Sequence, residues 1–214
     1  MNNILLAEWQ ASPRDDTSAI VIPDGCRDLI MCHAPGEKPQ WFVSSLEEST
    51  YTVPIKADVA MQGFRLLPGA RIDEELLLMS VQNMPVDIDE VSCRLDSYSY
   101  VSSSVTEILT CLAVSTNSVA SAAHELGVSS RSMQRLLKRE TGHSPAFWLQ
   151  LARVRKAARA VLETSPLAEI AAIYGYSDQA HMTREFKRWL NISPARVRFS
   201  SEIVEQLNQP GYAS

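Results

Sequence analysis

Two periods of hydrophobicity divide the chain. Up to about residue 97 the apolar residues come in short runs, AIVIP, DLIM, QWFV, YTVPI and VAMQGFRL, separated by turns such as Pro23-Asp24-Gly25 and Pro68-Gly69. Runs of this length, rich in β-branched and aromatic residues and bounded by Pro and Gly, predict strands. Residues 74–79 predict a short helix, and VDIDEV at 86–91 fits either an edge strand or a loop. The Ser-rich stretch SYSYVSSS has no apolar period and places a linker at residues 98–104. From Val119 onward the period changes to that of a helix: Val119, Ala122, Ala123 and Leu126 share one face, and Gly127 stops it.

A second amphipathic helix follows at once. Ser129 is placed to cap it, Met133, Leu136 and Leu137 form its inward stripe, and Arg131, Gln134, Arg135 and Lys138 recur on the outside at i, i+3, i+4, i+7. This unit repeats 49 residues later, where Leu167, Ile170, Ala171 and Tyr174 repeat the first helix and Gly175 ends it. Met182, Arg184, Phe186, Lys187 and Arg188 then match Met133, Arg135, Leu137, Lys138 and Arg139. Both copies run into Ser-Pro, at Ser144-Pro145 and Ser193-Pro194, a pair that starts a helix because Ser caps it and Pro has no N–H to lose at the first position. Between the copies, Phe147, Leu151, Val154, Ala158, Val161 and Leu162 mark one apolar face of a helix over about residues 145–163. About 19 residues at ~1.5 Å each make a rod of ~28 Å, short of the ~34 Å turn of straight B-DNA. Two reading helices at its ends would then bend a duplex or leave one of them weakly docked.

Charge sharpens the division. Residues 1–116 carry 7 Lys and Arg against 17 Asp and Glu, residues 117–200 carry 13 against 6, and the tail 201–214 adds two acids, so a net charge of −5 hides a basic module joined to an acidic one. Positive charge confined to one module suits a surface that neutralises phosphates, with control placed elsewhere. The chain of 214 residues suits two modules, and 45% hydrophobic with 21% charged residues is ordinary globular composition. No apolar run approaches a membrane span, the opening MNNILLAEWQ lacks the flank and cleavage pattern of a secretory signal, and Cys26, Cys32, Cys93 and Cys111 contain no C-x-x-C pair. A cytoplasmic location with reduced thiols and no membrane partner is the expectation.

The segment EIAAIYGYSDQAHMTREFKRWLNISPARVR has Ile-Ala before a Gly-aromatic turn, then Arg-x-Phe-Lys, Ser-Pro and a closing Arg, and it resembles the signature of the AraC/XylS family of bacterial transcription regulators. The likeness extends over about residues 105–199, with Asn191 where the family usually has Gly and Val197 where it usually has an aromatic residue. It implies an α+β chain of two domains: a strand-rich sensory or regulatory domain at 1–97, an all-α domain at 105–199 with two helix-turn-helix motifs joined by a long helix, and a tail at 200–214. It further implies that each second helix enters a major groove of double-stranded DNA, with base contacts from Arg131, Gln134 and Arg135. In the second copy the matching positions are Gln179, Ala180, His181 and Arg184, with His181 open also to a plain helix-surface role, and Thr183 is a further DNA-binding candidate. Lys138 and Lys187 fall to phosphates. Arginine pairs bidentately with guanine, glutamine with adenine, and alanine meets a thymine methyl. RNA polymerase is the implied partner, activation the commoner outcome, and a small-molecule effector and a homodimer are both compatible.

AIVIPDGCRDLIMC with GFRLLPGA resembles, less closely, sensory domains of such regulators. Asp24, Cys26 and Arg27 near one strand end are the candidate effector contacts, though a local turn explains Pro23-Asp24-Gly25 equally well. Control by a protein partner or by dimerisation is an alternative, as is thiol or metal sensing through Cys26, Cys32 and His33, whose spacing matches no zinc pattern. His124 and His143 are assigned structural roles. H-E-x-x-H, G-x-S-x-G and the phosphate loop G-x-x-x-x-G-K-[ST] do not occur, so no catalytic site, metal or cofactor is expected.

Overall fold

The computed structural model describes residues 4–82, 87–114, 118–163 and 165–214. The N-terminal half opens with seven strands, β1 (Leu5–Ala11), β2 (Thr17–Val21), β3 (Asp28–His33), β4 (Gln40–Val43), β5 (Tyr51–Ile55), β6 (Ala60–Leu66) and β7 (Arg71–Ile72). Helices α1 (Glu74–Val81) and α2 (Ile88–Tyr98) and the short strand β8 (Ser99–Tyr100) follow. Strands β1, β6, β3 and β4 form an antiparallel sheet in that order, β2 pairs with β5, and β7 pairs with β8. Every apolar run read as a strand is one, within two residues at each end.

Three readings need correction. Strand β1 was missed because its alternation, LLAEWQA, mixes an acid and an amide into a half-buried edge. Its Trp9 lies opposite Gly63, where any Cβ would overlap the indole, so glycine is required there. The acidic segment read as strand or loop is helical from Ile88: Asp87 accepts from Glu90 N, and Asp89 and Glu90 sit in the first turn, where carboxylates favour the positive end of the helix. Val86 lies outside the described residues. Residues 98–104, expected as a linker, hold the end of α2, the strand β8 hydrogen-bonded to β7, and the start of the next helix.

The C-terminal half is helical: α3 (Ser103–Val114), α4 (Val119–Glu125), α5 (Ser130–Thr141), α6 (Pro145–Leu162), α7 (Leu167–Ile173), α8 (Gln179–Leu190), α9 (Pro194–Val197) and α10 (Ser201–Asn208). One apolar cluster fills the space between the four-stranded sheet and α1 and α2, with Leu29, Phe64, Leu66, Leu77, Val91 and Leu95 fully buried. The larger cluster surrounds α6, whose Trp148, Leu151, Val154, Ala157, Ala158 and Val161 are fully buried. Helix α6 thus buries more than the single stripe its sequence suggested.

The larger cluster also crosses the boundary, taking in Ile22 from the strand-rich half and Tyr212 from the tail. The tail is stitched down by backbone and side chain alike. Tyr212 N donates to Asp24 O (2.7 Å), its hydroxyl to Leu109 O (2.8 Å), and Arg155 Nε donates to Tyr212 O (2.9 Å). Arg155, fully buried, also donates to Pro23 O at 3.2 Å, and desolvation lowers its pKa to about 10.

Candidate nucleic-acid interface

Helices α4 and α5 form the first helix-turn-helix. Ser118 and Ser129 cap them, each hydroxyl accepting from the backbone N–H three residues on, and the turn passes through Gly127 at φ 65°. Met133 and Leu137 bury one face of α5. That burial turns Arg131, Gln134, Arg135 and Lys138 to solvent together, as their spacing predicted. Gln134, Arg135, Lys138 and Arg139 line one groove, so Arg139 joins the set. Its place one turn after Arg135 was the available signal. The helix ends at Gly142, in the left-handed conformation at φ 75°, whose carbonyl takes a 2.6 Å hydrogen bond from Lys138 Nζ.

Helices α7 and α8 repeat the plan with one residue more. Four residues separate α4 from α5 and five separate α7 from α8. The pairs Ser129/Asp178, Met133/Met182, Leu137/Phe186, Gly142/Asn191 and Ser144/Ser193 keep the spacing of 49, whereas the first helices are offset by 48. Within this longer turn Tyr176 is buried and His181 bonds back to Ser177. His181 Nδ1 lies 3.3 Å from Ser177 N and 3.1 Å from Ser177 Oγ, and its ring meets Tyr176 edge-on at 5.4 Å. Asp178 caps α8 by accepting from His181 N at 2.6 Å.

Gln179, Ala180, Arg184 and Lys187 stand exposed on α8, while His181 and Thr183 are half-buried and Thr183 Oγ1 donates back to Gln179 O. Asn191 ends α8 at φ 56°, filling the left-handed position as its identity suggested. Ser193 stands at the cap of α9 but makes no side-chain capping bond, unlike Ser144, which accepts from Phe147 N.

Two such units, each with an exposed basic and amide-bearing second helix, are the geometry of groove readers. A model described as a helix-turn-helix domain matches residues 122–199. That stretch is a helix-turn-helix domain. The multiple antibiotic resistance protein MarA of Salmonella typhimurium is 30% identical over 76 residues, covering 35% of this chain and 60% of MarA. The chain therefore spans less than two thirds of that relative's length. Transcriptional regulator Rob of Salmonella typhimurium is 36% identical over 81 residues, 37% of this chain and 28% of Rob. A solved transcriptional regulator from Chromobacterium violaceum, described as AraC-type, is 25% identical with a TM-score of 0.39, over 50% of this chain and 93% of that one.

Outside the helix-turn-helix domain, the candidate effector residues are engaged by the protein itself. Asp24 accepts from Cys26 N (2.8 Å) and pairs with Arg65 (3.1 Å). Burial raises the Asp24 carboxyl above its ordinary value, against the pull of Arg65. Arg27 donates to Ser44 O and to Glu74, each at 2.8 Å. Cys26 is buried, and desolvation, then the Asp24 charge, push its thiol well up, away from the reactive thiolate. Burial raises Cys32 too. Among the described residues no group of three or more His, Cys, Asp or Glu is arranged to hold a metal, and no helix is long and apolar enough to cross a membrane. His143 packs on Phe147 with ring centroids 4.1 Å apart, while His124 stands exposed at the end of α4.

Proposed function

We propose that the chain is a sequence-specific DNA-binding transcription regulator, an activator that reads two adjacent major-groove segments with α5 and α8. The observation that carries this reading is the pair of matched motifs whose outward faces present Arg131, Gln134, Arg135 and Lys138 on one and Gln179, Ala180, Arg184 and Lys187 on the other. The half-buried His181 and Thr183 serve mainly to shape the start of α8. Helix α6, 18 residues and so ~27 Å long, supports a bent duplex over a straight one when both helices dock. RNA polymerase is the partner an activator would meet beside its site.

The strand-rich half is the control domain. An effector reading is supported by a cavity of about 150 Å³ at its junction with α5, lined by Gly25, Arg27, Leu46, Gly69, Arg71 and Glu140 among others. A second reading, control through a protein partner or a second copy of the chain, is favoured by a different observation. Leu76, Met79 and Ile88 are 47%, 65% and 45% exposed on α1 and α2.

Selection of random duplexes by the purified chain tests the proposal. Enrichment of a two-block site bound at least ~10³-fold more tightly than random DNA is the expected result. Absence of enrichment, both for the whole chain and for residues 105–214, would sink the reading.

A further inference from the structure

The strand-rich half touches the C-terminal ends of both reading helices, and one loop does most of it. Between β4 and β5, Thr50 donates from its backbone N (2.9 Å) and its Oγ1 (2.8 Å) to Trp189 O in the last turn of α8. A helix leaves its last carbonyls without internal partners, so this is a C-terminal cap supplied by another part of the fold. Two residues earlier, Glu48 stands 3.6 Å from His143, just beyond α5. From β7, Arg71 lies 3.6 Å from Glu140, in the last turn of α5. The two helix ends converge beneath the loop: His143 stacks on Phe147, and the Phe147 ring lies 5.3 Å from that of Trp189.

We propose that the β4–β5 loop, with Arg71, sets the spacing between the two reading helices, making Glu48, Thr50 and Arg71 positioning residues for the distance between the two DNA blocks. The proposal rests on the two-groove reading above. Both motifs pack into the one core around α6, and the ends of α5 and α8 meet at its first turn through Phe147. The loop and Arg71 add a tie there from outside the helical half, which holds one motif against pivoting on the other. Moving one block by a base pair shifts its groove by ~3.4 Å and turns it by ~35°. A doubly tied pair resists that adjustment, and a pair tied only by α6 accommodates it.

The experiment measures affinity of the full chain for the selected duplex and for versions with one base pair added or removed between the blocks. The wild-type chain is expected to lose about tenfold on either altered spacing, a coupling typical of neighbouring groups, whereas Glu48→Gln/Thr50→Val should lose less than about threefold. Arg71→Glu, which sets two carboxylates against each other, should loosen the spacing likewise, and Arg71→Glu/Glu140→Arg should restore it. An unchanged spacing profile in these variants overturns the positioning role while leaving the two-groove reading standing. A wild-type chain with no preference for the selected duplex over random DNA overturns that reading, and the proposal with it.

Discussion

The two helix-turn-helix motifs share a plan and differ in how deeply they are rooted. Helix α5 buries two side chains, Met133 and Leu137, whereas α8 buries four, Met182, Phe186, Trp189 and Leu190. The turn before α5 is short and capped by Ser129. The turn before α8 is one residue longer, holds the buried Tyr176, and is fastened by Asp178 and His181. Equal outward faces therefore stand on unequal foundations. The first motif offers a basic surface on a thin base, and the second spends more of its sequence on anchoring itself.

The most forceful way to break this comparison is to empty the base of each motif. Phe186→Ala should destabilise the fold by about 4 kcal/mol and Leu137→Ala by about 3 kcal/mol, the usual costs of a large buried side chain plus its cavity. Urea unfolding of both variants decides it, and a Leu137 variant that loses more than the Phe186 variant would invert the ranking. Next in size are the reading faces. Arg135→Ala and Arg184→Ala should each cost about 1–3 kcal/mol of binding and relax preference at one base pair, whereas Lys138→Ala should weaken all duplexes alike. If the arginine variants lose as much on random DNA as on the selected site, they touch phosphate and do not read bases.

The smallest contrast concerns the caps. Removing either cap with alanine should cost about 1 kcal/mol. Asp178→Ala should cost a few tenths more than Ser129→Ala, because its charge also meets the positive end of α8, a gain of about 0.3–1 kcal/mol. Equal shifts in thermal unfolding, or shifts equal only at high salt, would separate the hydrogen bond from the charge.

The legible part of the molecule was local. Period, turn residues and the repeat located the strands from β2 to β6, both motifs and the long helix α6, because each follows from neighbours within a few positions. What escaped depends on distant partners. Arg155 reads as one more basic residue on a charged helix, yet it is fully buried because Pro23 and Tyr212 supply acceptors from opposite ends of the chain. For Asp24 and Arg27 spacing left an effector contact and a local turn with an ion pair both open, and only the fold shows Asp24 paired with Arg65 and Arg27 bonded to Ser44 and Glu74.

The amino-acid order by itself determined the two kinds of architecture and, His181 and Thr183 excepted, the residues that α5 and α8 turn outward, since amphipathic spacing dictates which side of a helix is buried. It also set where α4, α5, α6 and α8 end or begin, through Ser118, Ser129, Pro145, Gly142 and Asn191. Only the tertiary structure decided how the halves join: the tail closing over α6, the Thr50 hydroxyl capping a helix 139 residues away, and the loop whose Glu48 and Thr50 meet the ends of α5 and α8. Such contacts leave no period in the sequence, because burial and pairing across the fold depend on which surfaces meet.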